Sequence, residues 1–240
     1  MKFASRAALR TILPAALAFA LAGCPAPPTR PAATGAPAST PATASQAPGK
    51  LYRVVTEASE VRILVYRSGT LAKLGHNHLI TSHNLIGSVT LPEDPADAHF
   101  EIMMPVLSLA VDEPDKRAEE GADFATPVSD AARAGTHKNM MRPEVLDGDQ
   151  FPAVAVRSTG ITRAGDDYEV SFQVDLKGAT HELKAPVHLA LEGQGLTATG
   201  EFTFKQTDLG LTPFSAALGA LAVQDQLEVK FKIRAELSAE

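Results

Sequence analysis

The chain has 240 residues, 45% of them hydrophobic and 21% charged, with a formal net charge of −6 at pH 7. That acidic balance argues against binding nucleic acid or anionic head groups through bulk charge. A single cysteine leaves no intrachain disulfide to brace the fold. Stability must then come from a packed core, and a domain of about 190 residues would bury roughly 70% of its unfolded surface without a staple.

The chain opens with Lys2, Arg6 and Arg10, then an apolar run over 11–22 that only Pro14 interrupts. A charged start, a short apolar stretch and small residues at a cleavage point make a secretory signal. Ala22-Gly23 directly before Cys24 is similar to the lipobox of bacterial lipoproteins. That resemblance implies cleavage after residue 23 and a lipid on the Cys24 sulfur. The product would be an exported, membrane-anchored protein facing the periplasm or the cell exterior. An ordinary signal peptide cut nearby would instead leave one free thiol, a liability in an oxidising compartment. Beyond the signal no apolar run approaches the about 20 residues a membrane helix needs, so Cys24 would be the sole anchor.

Residues 24–49 are rich in Pro, Ala and Thr, with Arg30 as the one charge. Nothing there can offset the entropy of folding, so the segment reads as a disordered tether. In a polyproline-like state it would reach on the order of 75 Å. The domain then runs over 50–240.

From Leu51 the pattern becomes that of β-structure. Val61, Ile63 and Val65 alternate with Arg62 and Leu64. Tyr168, Val170, Phe172, Val174 and Leu176 alternate with polar residues, as do Leu227, Val229, Phe231, Ile233 and Ala235. Strict period two marks a sheet with one face buried and one wet, which is antiparallel. Further strands are expected over 51–55, 78–91, 98–107, 153–162, 181–191 and 195–205, with hairpin turns at 165–167 and 192–195. Residues 112–150 break the pattern; they are polar, rich in Ala and Glu, and punctuated by Pro114, Pro127 and Pro143. One or two short helices are expected there, between the two halves of the sheet.

Three ordered motifs then stand out. They are Leu146-Asp147-Gly148-Asp149-Gln150-Phe151-Pro152-Ala153-Val154-Ala155-Val156-Arg157-Ser158, the stretch from Gly178-Ala179-Thr180 to Pro186-Val187, and Phe202-Thr203-Phe204 followed by Thr207-Asp208-Leu209-Gly210. Together with the closing strand they resemble the YceI-like family of bacterial exported proteins over roughly residues 51–237. The chain departs from that family in having no tryptophan, with Tyr52 in the place where one is common. Its Gly135–Met141 stretch replaces a common Arg-Asp-x-His-Leu, and its Leu74-Gly75-His76-Asn77-His78-Leu79 segment looks like a branch variant.

The resemblance implies an all-β, lipocalin-like, antiparallel eight-stranded barrel with the short helices inserted between its halves. It also implies binding of a polyisoprenoid or quinone-like lipid, as carrier or buffer, with no other cofactor. An eight-stranded barrel has an interior just wide enough for side chains or one slender ligand. Val61, Ile63, Val170, Phe172, Val229 and Phe231 are the candidate lining. The competing possibility is that they fill a dry core and the protein is an envelope interaction module.

No Gly-x-Ser-x-Gly, His-Glu-x-x-His, Cys-x-x-Cys or phosphate-cradling glycine loop is present, so no catalytic site is expected. His76 and His78 are the one cluster with candidate chemistry. On an extended segment they would share a face and could hold a metal, with His83 or His137 as a third ligand, in a redox accessory protein. Two ligands at this spacing are common by chance, so no metal is assigned. The same imidazoles could instead hydrogen-bond the polar head of a quinone-like ligand. The pairs Met103-Met104 and Met140-Met141 read as core filler.

Overall fold

The computed structural model describes residues 48–239. The expected signal peptide, Cys24 and all but the last two residues of the expected tether lie outside the described residues. Twelve strands follow in chain order: β1 (Lys50–Val54), β2 (Glu60–Ser68), β3 (His78–Ser82), β4 (Ile86–Leu91), β5 (His99–Pro105), β6 (Ala110–Val111), β7 (Ala153–Ala164), β8 (Asp167–Leu176), β9 (Ala179–Glu192), β10 (Gly195–Lys205), β11 (Ser215–Ala216) and β12 (Leu221–Leu237). Two helices, α1 (Pro114–Glu119) and α2 (Asp130–Met140), fall between β6 and β7, as the proline-punctuated segment predicts.

All pairings are antiparallel. They run β1-β4-β5-β7-β8-β9-β10-β12, and β12 returns to β1, which closes eight strands into a barrel. The 17-residue β12 reaches past β1 and pairs with β2 as well; β3 then pairs with β2, and β6 with β3. β1–β2, β3–β4 and β5–β6 are therefore three staves, each interrupted once. β11 is a short spur on β12.

Each interruption changes which alternate residues face inward. Tyr52 is buried with the interior on β1, whereas Val61, Ile63 and Val65 line the interior on β2. His78 and Ile80 face in on β3, but Val89 and Leu91 do so on β4. A continuous strand cannot change parity in this way. Residues 78–91 are therefore two strands, not the single one the sequence suggests, and the bend at 83–85 buries Leu85. β7 achieves the same switch with a bulge between Ser158 and Gly160, passing from Val154 and Val156 to Ile161.

Side chains repair the ladder where it breaks. The Ser59 hydroxyl accepts from the Arg234 amide (3.0 Å) and donates to the Val55 carbonyl (2.8 Å). Thr56 Oγ1 donates to the Leu85 carbonyl (2.9 Å), joining the first break to the second. The hairpins of the second half are tight; Lys177 and Gly178 both adopt positive φ between β8 and β9, as a two-residue turn of primed type requires.

Along β12 the outward positions are Glu228, Lys230, Lys232, Arg234 and Glu236. An apolar interior under a charged exterior is the reverse of a membrane-spanning barrel. Among the described residues no helix is long and apolar enough to cross a membrane. The outer face of β2 and β12 carries α1. Arg62 pairs with Glu60, Glu119 and Glu120, and Lys230 reaches Glu120 (2.7 Å). Below them Leu64, Leu79 and Phe124 form a small buried cluster outside the barrel wall.

Candidate functional site: a one-ended apolar cavity

The barrel encloses a cavity of about 420 Å³, within the range of small-molecule sites. Its wall is built from the inward positions of every stave. Val61, Ile63, Val170, Phe172, Val229 and Phe231 all lie on it, as their period-two placement predicts. Three phenylalanines form an edge-to-face chain across the interior. Phe172 meets Phe202 at 5.8 Å between ring centroids, and Phe202 meets Phe231 at 6.4 Å. Gly200 makes room for this chain: a Cβ there would stand 2.5 Å from the Phe231 ring.

The two ends differ in chemistry. At one end Tyr52, Leu91, Ala98, Leu196 and Ala235 pack together and close the barrel. Register carries the chain from there to the opposite end, where Val65 pairs with His78 and with Leu227, and Leu227 with Phe204. The imidazole, amide and threonine lining residues belong to this second end, whereas Tyr168, beside the β7–β8 hairpin, lines the wall toward the first. His78 comes from β3, Thr136 and Asn139 from α2, and Gln206 from the turn after β10. The Gln206 side-chain amide donates to the Gln224 carbonyl (2.7 Å). Met140, Val145 and Leu146, on and after α2, line the same end, so the insertion between β6 and β7 supplies part of the cavity wall.

His78 is held by a buried ionic group. Asp112 Oδ2 accepts from His78 Nδ1 at 2.6 Å, while Oδ1 accepts from the Leu79 amide (2.8 Å) and from Arg117 (2.5 Å). Asp112 is 1% exposed and Arg117 4%. Burial on its own pushes the Asp112 carboxyl up, but the hydrogen bonds from His78 and Leu79, with the charges of His78 and Arg117, outweigh it. The group is held below the ordinary aspartate range. Arg117 also donates to the carbonyls of Asn77 (2.7 Å) and Thr126 (3.0 Å) and lies over the Phe124 ring. Asp112 adopts φ of 53°, a left-handed conformation that aspartate tolerates better than most residues.

His76 does not line the cavity. It sits on the loop before β3 with its ring 6.1 Å from that of His78. The other expected partners are dispersed: His83 contacts Glu113 (2.8 Å) and Glu60 (3.5 Å) outside the barrel, and His137 lies on α2. Among the described residues no group of three or more His, Cys, Asp or Glu side chains could hold a metal ion. Met104 and Met140 face the cavity, but strand alternation turns Met103 outward, where it is 44% exposed rather than core filler. Sequence reasoning missed Phe202 and Phe204, whose spacing in the third motif carries the signal, and Asp112 with Arg117, which have no periodicity to announce them.

Loops beside the polar end expose leucine. Leu71 and Leu74 lie between β2 and β3, with Leu74 73% exposed, and Leu218 lies between β11 and β12. The Leu71 amide donates to the Ala220 carbonyl (2.8 Å), which brings the two loops side by side.

A closed, up-and-down antiparallel barrel with an apolar interior and a charged exterior defines a lipocalin-like architecture. A family model described as the YceI-like domain matches residues 52–235, and the chain belongs to that family. Among solved structures, BcnA of Burkholderia cenocepacia shares the fold at a TM-score of 0.56 and 16% identity, over 75% of this chain and 98% of that one. The YCEI protein of Campylobacter jejuni aligns with a TM-score of 0.48 and 5% identity, over 67% of this chain and 85% of that one. Among curated proteins, none matches the sequence significantly.

Proposed function

We propose that the protein binds one long apolar lipid of the isoprenoid or quinone-like class inside the barrel and serves as its carrier or buffer, without catalysing a reaction. The observation that carries this reading is the cavity of about 420 Å³, walled almost wholly by aliphatic and aromatic side chains, with His78, Thr136, Asn139 and Gln206 together at one end. A solid-core interaction module would have no use for such a space, because protein interiors otherwise pack to near-crystal density. Membership in the YceI-like family supports the same reading. Val61, Ile63, Val170, Phe172, Val229 and Phe231 would contact the tail, and His78 the head. The exposed leucines beside the polar end mark the side from which an apolar ligand would enter.

The sequence adds the location. Cleavage before Cys24 and lipidation of its sulfur would anchor the protein to a membrane, with the proline-rich tether holding the barrel clear of the surface. Cys24→Ser should move the protein from the membrane fraction to the supernatant; persistence on membranes after a high-salt wash would rule this anchor out. For the ligand, a native mass spectrum of protein purified from the cells that make it should carry an added isoprenoid mass. An added metal mass with no lipid would favour the histidine-based redox reading instead.

A further inference from the structure

Two loops beside the polar end of the barrel join into a rim that is almost free of charge. Residues 209–224 carry no ionisable side chain and residues 68–75 carry only Lys73, in a chain that is 21% charged. The loops are fastened to each other. Ser68 pairs with Ala222, and the Leu71 amide donates to the Ala220 carbonyl (2.8 Å). Gly69 lies so close that a Cβ there would stand 2.4 Å from the Ala220 oxygen. From this base Leu71, Leu74 and Leu218 project outward, Leu218 with its whole surface in solvent. Ala217 and Leu218 both take left-handed backbone, with φ of 49° and 56°, a costly conformation for residues other than glycine. Phe214 and Val223, on the same segment, line the cavity, and the Val223 amide donates to the Phe214 carbonyl (3.0 Å). One piece of chain thus carries both exposed leucine and cavity wall. The closed end has the opposite character: its loops carry Glu93, Asp94, Asp97 and Asp166 and no basic residue. The cations of the rim are Lys73 and Arg67, which donates to the Gly75 carbonyl (2.8 Å). Asp225, which accepts from Thr207, and Asp123, beyond Asn77, lie at its base.

We propose that this rim docks on the surface of a lipid bilayer, with Leu71, Leu74 and Leu218 among the acyl chains and Lys73 and Arg67 at the level of the phosphates. Side chains projecting singly from two loops offer a protein partner little area to bury, whereas acyl chains close around each one. Bulk charge does not drive this contact, because the chain is acidic. Its distribution sets the orientation instead: anionic head groups repel the loops of the closed end and not the rim. Docked this way, the polar end of the cavity lies next to the membrane, and an apolar ligand could pass between bilayer and barrel without crossing water. The docking depends neither on what the cavity holds nor on an anchor at Cys24.

The chain contains no tryptophan, so a single one reports its own surroundings. Two full chains, Leu74→Trp on the rim and Leu191→Trp near the closed end, are each purified from the cells that make the protein. Both are mixed with vesicles of phosphatidylethanolamine and phosphatidylglycerol. Leu191 is exposed near the end of β9 and serves as the reference. Attachment through the N-terminal segment is common to both chains, so only the contrast between them reports the rim. The emission of Leu74→Trp should move to shorter wavelength and be quenched when the vesicle lipids carry bromine on their acyl chains. Leu191→Trp should show neither effect. Adding Leu218→Ser to Leu74→Trp removes one inserted leucine and should lower the docking constant drawn from that quenching about tenfold. Leu71→Trp supplies the same readout if Leu74→Trp fails to fold. Equal behaviour of rim and reference, shifted or unshifted, would overturn the docking and leave the carrier reading intact. An emission of Leu74→Trp that is already shifted without lipid, and increasingly so as protein concentration rises, would also overturn it. The rim would then pair with a second copy of the chain.

Discussion

The two ends of the barrel solve opposite problems. The closed end is sealed by Tyr52, Leu91, Leu196 and Ala235, with the β1–β12 and β10–β12 ladders continuous around them. At the other end β6 pairs only with β3, and the segment carrying α1 and α2 connects it to β7. The backbone there is held by ion pairs and hydrogen bonds around Asp112 and Arg117. Apolar packing suffices where strands meet in register. Where the chain leaves the ladder, buried polar groups must supply the missing partners. The end that needs polar groups for its own integrity is then the end that can recognise a polar head.

That contrast can be broken from either side. The largest effect is expected at Arg117. Arg117→Ala would strand the Asp112 carboxylate in a buried site and release the Asn77 and Thr126 carbonyls. Losing one partner of a buried pair costs about 3–5 kcal/mol, and urea unfolding should show a loss of that order. Leu196→Ala at the closed end should cost less, about 2 kcal/mol, because the residue borders an existing cavity and leaves little new surface without contacts.

Acid should separate the ends next. Asp112, Glu60 and Glu120 are all held below their ordinary ranges. In each case burial pushes the group upward and is outweighed by hydrogen bonds and charges, from Lys116 and Arg62 for Glu60, and from Lys230 and Arg62 for Glu120. Carboxyls with a depressed folded pKa contribute stability that is fully present above their unfolded values of about 4 and is lost as pH falls through the folded ones. The melting temperature should therefore hold steady from neutral pH to about 5 and fall steadily below about 4. Glu120→Gln should start lower and lose less over that acid range; an unchanged acid slope would remove Glu120 from the explanation. The smallest effect is expected on the outer wall. Arg157 pairs with Glu101 and Asp175 on an exposed face, and Arg157→Ala should stay within about 0.5 kcal/mol of the parent.

Legibility in the sequence followed the same division. Strict alternation over 168–176 and 227–237 was enough to assign faces, because β8 and the paired run of β12 from Leu227 keep one parity. Val170, Phe172, Val229 and Phe231 could be placed inward on that basis, and Val61 and Ile63 by the shorter alternation of β2. The breaks were not visible: a break of three to five residues that shifts parity leaves a nearly continuous apolar pattern, as over 78–91. The polar end was harder still. His76 and His78 drew notice as a pair, but only His78 reaches the cavity, and its partner Asp112 lies 34 positions away beyond three further strands. Contacts made by a bend and an insertion carry no period, so sequence spacing could not report them.

The hollow barrel is tested most directly by calorimetric titration of the delipidated protein with farnesol, comparing the parent with Val229→Trp and Lys232→Ala. Val229 lines the cavity and Lys232 is exposed on the same strand. One saturable site with a negative heat-capacity change is expected in the parent, as burial of apolar surface requires. It should persist in Lys232→Ala and weaken markedly in Val229→Trp, where the indole takes up part of the space. Saturable binding of unchanged affinity in a folded Val229→Trp protein would contradict a ligand inside the barrel.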